Sequence, residues 1–198
     1  KRPGFTAIVL IALALGIGAN TAIFSLVNAV ILQPLPYQDP DRLISVYGSR
    51  NRSTQGSVGP TDFLDYRKQN KTFEQFAASG TLPLPATLTG SGEPERLRAA
   101  NVTGNYFQTF GVAPALGRGF SLENEKSGND QVAVLSYALW QRRFAGDPAI
   151  VNKTIVLNGK ACEVIGVMGK DVSLPQTVDL WIPMNFDSDA EMKQRFAH

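Results

Sequence analysis

Polar and apolar positions change rhythm once along the chain, and early. From Phe5 to Leu32 there are 28 consecutive positions without a charged residue, whereas beyond Leu32 short apolar runs alternate with Gly, Pro, Asn and charged positions. As an α-helix rising about 1.5 Å per residue, the uncharged run would measure roughly 42 Å. About 20 residues suffice to cross a bilayer core. The core helix of a soluble domain keeps a polar face and stops sooner. The pattern therefore predicts a transmembrane helix over residues 5–32, with 1–4 as its cytoplasmic flank and 33–198 as the domain beyond it. A cleaved signal peptide fits less well, because Ile23, Phe24, Leu26, Val27, Val30, Ile31 and Leu32 continue the run past any cleavage near Gly16 and Gly18.

Downstream the rhythm is mixed. Pro60 and Thr61 in "GPTDFLDYRKQN" start a helix that carries Phe63, Leu64 and Arg67 and ends near Asn70. "KTFEQFAA" predicts a second short helix capped by Thr72. "LPATLTG" and "ERLRAANVT" predict strands around Gly90, Ser91 and Gly92. "QVAVLS" reads as a buried strand, after which Ser136 caps the helix "YALWQRRFA", stopped by Gly146, Asp147 and Pro148. In "KTIVLNGKACEVIGVM" two strands meet at Asn158-Gly159, a strong hairpin signal, and "VDLWIPM" adds one more strand. The class is α+β: an N-terminal transmembrane helix followed by a mixed α+β extracytoplasmic domain.

Inside the apolar run, Ala14, Gly18 and Ala22 recur every four positions, as do Ala12, Gly16 and Asn20. This predicts small side chains on one side of the helix, where a neighbouring helix could approach and where Asn20 and Asn28 could donate hydrogen bonds. Pro34 and Pro36 cannot continue the helix and are candidates for a stiff junction between membrane and domain. Tyr37 stands where an interfacial aromatic would sit.

Charge adds orientation. Lys1 and Arg2 precede the run, and the remaining 17 Lys and Arg balance all 17 Asp and Glu beyond it. The positive-inside bias puts the N-terminus in the cytoplasm and residues 33–198 outside. A neutral domain without basic clusters excludes nucleic acid as a partner. Cys162 is the only cysteine, so neither an internal disulfide nor a thiolate metal cage is expected. The only histidine is His198, the last residue, which leaves no Ser-His-Asp or Cys-His arrangement. "GIGAN" lacks the spacing of a dinucleotide loop, and no P-loop or nucleophile elbow occurs. Glu93 with Glu95, Glu123 with Glu125, and Asp187 with Asp189 and Glu191 read as solvated loop charges, while Trp140 and Trp181 read as core. Beginning at Lys1 and ending in "EMKQRFAH", the chain is expected to be a segment of a longer protein.

"PGFTAIVLIALALGIGANTAIFSLVNAVILQPLPYQDPDRLISV", "NYFQTFGVAPALGRGF", "VAVLSYALWQRRFAGDPAIVNKTIVLNG" and "EVIGVM" together resemble MacB-like ABC-transporter permeases of the FtsX/MacB superfamily, of the duplicated type found in acidobacteria. The resemblance covers nearly the whole chain. It implies a permease subunit in the bacterial inner membrane, with its first membrane helix and part of a MacB-like periplasmic core domain. It further implies that ATP is bound and hydrolysed by a separate cytoplasmic ABC ATPase, so that this chain carries no cofactor and is not itself an enzyme. Motion would be transmitted through the membrane to the periplasmic side, as in efflux by mechanotransmission. Other permease helices, a second permease copy and a periplasmic adaptor are the implied partners. No catalytic residue carries over. The competing reading is a membrane-tethered periplasmic binding or scaffold module without transport.

Overall fold

The computed structural model describes residues 3–27, 37, 39–49, 55–90, 92–170, 172, 174 and 177–187. It divides into two compact units, Lys1–Pro36 and Tyr37–His198. In the first unit, helix α1 spans Pro3–Val27. Its stretch Thr6–Ser25 is long and apolar enough to cross a membrane, and none of it is buried. Ile8, Leu10, Leu13, Leu15, Ile17 and Phe24 all stand more than half exposed around the helix. A helix apolar on every side is suited to lipid rather than water. Residues 28–32 of the expected span, Asn28 among them, and Pro34 and Pro36 lie outside the described residues.

The second unit runs β1 (Gly48–Ser49), β2 (Gln55–Gly56), α2 (Pro60–Gln69), β3 (Leu84–Thr89), β4 (Glu95–Val102), α3 (Tyr106–Thr109), β5 (Leu116–Gly117), β6 (Val132–Leu135), α4 (Tyr137–Phe144), β7 (Thr154–Leu157), β8 (Lys160–Val167) and β9 (Leu180–Pro183). β1 and β2 form a separate two-stranded pair. The main sheet has the order β5-β8-β6-β9-β4-β3-β7, and β7 also pairs with β8. Six of its strands therefore close into a ring, with β5 on the edge of β8. β6–β8 and β4–β9 run parallel, and the other pairs are antiparallel.

Local chemistry explains the hairpins. Asn158 and Gly159 both take positive φ, 51° and 78°, as the two central residues of a tight turn that sets Leu157 opposite Lys160. Gly90 and Gly92 do the same for the β3–β4 turn, with φ of 88° and 84°. β6 is buried at all four positions, since strands flank it on both edges and apolar layers cover both faces. One apolar cluster takes a side chain from every ring strand, including Leu88, Leu97, Leu135, Ile155, Val164 and Leu180. Helix α4 packs on it through Leu139, Trp140 and Phe144. Ser136 caps that helix by accepting from the Leu139 N–H at 3.2 Å. A second cluster, with Val102, Tyr106, Phe107, Val134, Ile165 and Trp181, covers the other face of four strands.

One expectation fails. The helix foreseen at "KTFEQFAA" does not form. The Asn70 side chain instead accepts from the N–H groups of Thr72 and Phe73 at 3.0 and 2.9 Å and donates to the Phe73 carbonyl at 2.7 Å. This local turn outcompetes a new helical turn for the same backbone groups. The half-buried Tyr37 ring sits on Phe110 with centroids 4.9 Å apart.

Candidate functional site

Residues 102–110, running from the end of β4 through α3, receive three segments that are distant in sequence. Tyr37, the first residue of the second unit, packs on Phe110, whose ring lies 5.0 Å from Tyr106. Burial raises the Tyr37 hydroxyl pKa and pushes that of Tyr106 up to about 12, although Tyr106 also bonds Ser79. From the far end of the chain, the Met184 N–H donates to the Val102 carbonyl at 2.8 Å. Two residues on, the Phe186 N–H donates to the Glu125 carbonyl at 3.2 Å.

Glu125 is the polar centre of this corner. It ends the 3₁₀ turn Leu122–Glu125, which Asn124 holds by accepting from the Ser121 N–H and donating to the Asn129 carbonyl. Only 6% exposed, its carboxylate takes the Arg67 guanidinium at 2.8 and 3.0 Å and the Gly104 N–H at 2.8 Å. The Arg67 guanidinium carbon also lies 5.3 Å from the Phe63 ring and 5.4 Å from the Phe186 ring. Those two rings stack at 5.7 Å, and Phe63 also stacks with Phe76 at 5.4 Å. One clamp thus joins α2, the Leu122–Glu125 turn, Gly104 and the segment after β9. A buried carboxylate is tolerated only when paired and hydrogen-bonded, and here it has both.

Glu125 was expected to be a solvated loop charge, and its burial corrects that reading. Its cation comes from Arg67, 58 positions away, so no local spacing reveals the pair. Glu95 is engaged too, by Arg142 at 2.7 Å, and Arg142 also reaches Asp179 at 3.3 Å. Asp187 accepts from the Ser127 N–H at 3.0 Å. Asp189, Glu191 and His198 lie outside the described residues. Trp181 is buried against Phe107, and the Trp140 indole donates to the Asp147 carbonyl at 2.8 Å, so both serve packing.

Ala14, Gly16, Gly18, Asn20 and Ala22 all lie exposed on α1. They do not share one side: positions two apart on an α-helix are about 200° apart around its axis. Ala14, Gly18 and Ala22 therefore form one stripe, with Gly16 and Asn20 on nearly the opposite face. Nothing stands within 4 Å of a Cβ built at Gly16 or Gly18.

A groove of about 400 Å³ has Ala86, Leu157, Cys162 and Pro183 in its lining, with Asp130 and Lys160 beside them. Burial, with Asp130 and Glu163 nearby, pushes the Cys162 thiol pKa up to about 12. An inert thiol gives no nucleophile.

Comparison with known proteins gives a consistent result. The MacB-like periplasmic core domain family matches residues 6–196. The extracellular domain of the noncanonic ABC-type transporter YknZ from Gram-positive bacteria superposes with a TM-score of 0.52 at 16% identity, over 71% of this chain and 67% of that one. The periplasmic region of MacB from Actinobacillus actinomycetemcomitans does so with a TM-score of 0.50 at 14% identity, over 75% and 77%. Curated protein sequences give no match. At such identities the superpositions speak for the fold, and it is the match over nearly the full length that decides membership: the chain belongs to the MacB-like periplasmic core domain family of ABC-transporter permeases.

Proposed function

We propose that the chain is the permease side of a MacB-type transporter, in which a separate cytoplasmic ATPase hydrolyses ATP and the extracytoplasmic domain moves in response to drive export. In this reading the N-terminus is cytoplasmic, residues 5–32 span the inner membrane, and residues 33–198 lie outside it. The two small-residue stripes of α1 receive other permease helices or a second copy, and Pro34 and Pro36 stiffen the junction. One observation carries the reading. Tyr37, where the domain begins, and Met184–Phe186, after its last strand, both bear on residues 102–110 or on the glutamate bonded to them. A displacement delivered at this corner reaches β4 and β9 of the ring directly.

The test uses the full-length permease purified with its ATPase in lipid nanodiscs. Spin labels go on Glu93→Cys and Asp187→Cys in a Cys162→Ala background, both sites being exposed. The expected result is a label–label distance that differs between the nucleotide-free and vanadate-trapped states. An unchanged distance during ATP turnover would defeat the reading, and failure of any ATPase to co-purify would favour a tethered scaffold.

A further inference from the structure

We propose that α2 is a releasable latch, which in its closed position locks Phe186, after β9, in place and can open while the ring stays folded. The use made of it rests on the transmission reading above, but opening and closing are properties of the domain itself.

Three features support a thin, separable attachment. First, of the ten residues of α2 only Thr61 and Phe63 are buried. Tyr66 is half exposed, and the helix ends at Asn70 in a turn closed by its own side chain. Elements that open separately are those with few buried apolar groups. Second, the Thr61 hydroxyl is buried without a hydrogen-bond partner among the described residues. Leaving a polar group dry and unpaired weakens the closed position relative to the open one, where water satisfies it.

Third, the ring and charge contacts of α2 are shared with Phe186. Phe63 stacks with both Phe76 and Phe186, and Arg67 touches Phe63, Phe186 and Glu125 at once. Glu125 in turn holds Phe186 through its own carbonyl. When Arg67 leaves, Phe186 loses a ring face and a cation together, and Glu125 loses its counter-charge. Helix and Phe186 therefore let go together, while the Met184 N–H stays on the Val102 carbonyl and Asn185 on Asp130. None of these contacts belongs to the ring ladder, which keeps its own pairing throughout.

The test is hydrogen–deuterium exchange on the full chain in nanodiscs without nucleotide. In the wild type, the amides of residues 61–69 should exchange faster than those of β6 and β8, and in step with that of Phe186. Glu125→Gln keeps an acceptor for Gly104 but removes the charge; it should speed exchange of both 61–69 and the Phe186 amide by about tenfold, in keeping with loss of a charge-assisted hydrogen bond, and leave β6 and β8 unchanged. Arg67→Lys, a cation without the planar fork, should show the same amides moving by a smaller factor. Wild-type protection of α2 equal to that of β6 would overturn the proposal. So would loosening of 61–69 without Phe186, or loss of ring protection in Glu125→Gln. None of these readouts needs an ATPase, so a failed latch and a failed transmission reading are told apart.

Discussion

Removing Arg67 should cost more than removing the charge it faces. In Arg67→Met the Glu125 carboxylate, 6% exposed, keeps, among the described residues, the Gly104 N–H as donor. Stranding a buried charge in this way costs about 3 kcal/mol at the low end of what broken buried pairs show, the low end applying because the Arg67 side chain is itself 28% exposed. Loss of the cation from the Phe63 and Phe186 rings adds about 0.5–1 kcal/mol. In Glu125→Gln the carboxamide oxygen can still accept from Gly104, and the partly exposed guanidinium can turn to water, so the cost falls to about 1 kcal/mol. The double variant strands no charge. It should be less destabilised than the sum of the two singles by about 1.5 kcal/mol, a coupling normal for contacting residues. The assay is urea unfolding of the full chain in micelles, followed by the fluorescence of Trp140 and Trp181, both in the second unit. Equal costs for the two single variants, or strict additivity in the double, would refute the assignment of Glu125 as a buried charge dependent on Arg67.

Three further outcomes are expected. A methyl group at Gly104 would stand 2.2 Å from the Ser121 carbonyl oxygen, so Gly104→Ala should lower the urea midpoint by the equivalent of about 2–3 kcal/mol through overpacking; a midpoint within error of wild type would show that the Gly104–Ser121 approach is not as close as described. Cys162 and Tyr106 are acids whose protons the folded state holds more tightly, their pKa values rising from 9.0 and 10.0 to about 12. Their contribution to stability should therefore be constant below about pH 9 and be lost as pH rises from there toward 12. At pH 8 the thiolate fraction of Cys162 is on the order of one part in ten thousand, and maleimide labelling should follow unfolding alone; rapid labelling of the native chain would contradict this. Finally, Gly18→Leu and Gly16→Leu should each weaken co-purification of partner helices, one from each face of α1, while leaving the unfolding midpoint of the second unit where it was. Unaltered assembly in both would remove the packing role of those stripes.

Much of the scaffold is legible in the order of residues because its causes are local. An uncharged run the length of a membrane needs no tertiary partner to be recognised. Asn158-Gly159 carries its turn in the backbone freedom of the pair, and Ser136 caps α4 from three residues away. "QVAVLS" reads as a buried strand because four apolar residues in a row leave no face for water. At "KTFEQFAA" the local reading went astray because two local devices competed, and the Asn70 side chain won over Thr72.

The corner around residues 102–110 belongs to the tertiary structure alone. Glu125 sits in "SLENEKSGND", a stretch whose polarity says surface, and only the fold brings Arg67 to it across 58 positions and Gly104 across 21. Ring closure likewise depends on β7 finding β3 as well as its hairpin partner β8, a pairing without a turn to announce it. Tyr37 looks interfacial by its place after the prolines, and its ring sits on Phe110, which the sequence places 73 positions on. Residue order by itself determined the long apolar helix, the hairpins, the caps and the α+β class, since propensity and periodicity act within a turn or two. Which charges are buried, and which segments move together, was decided by long-range packing, because the energy of a charge depends on the neighbours and solvent around it and not on its place in the chain.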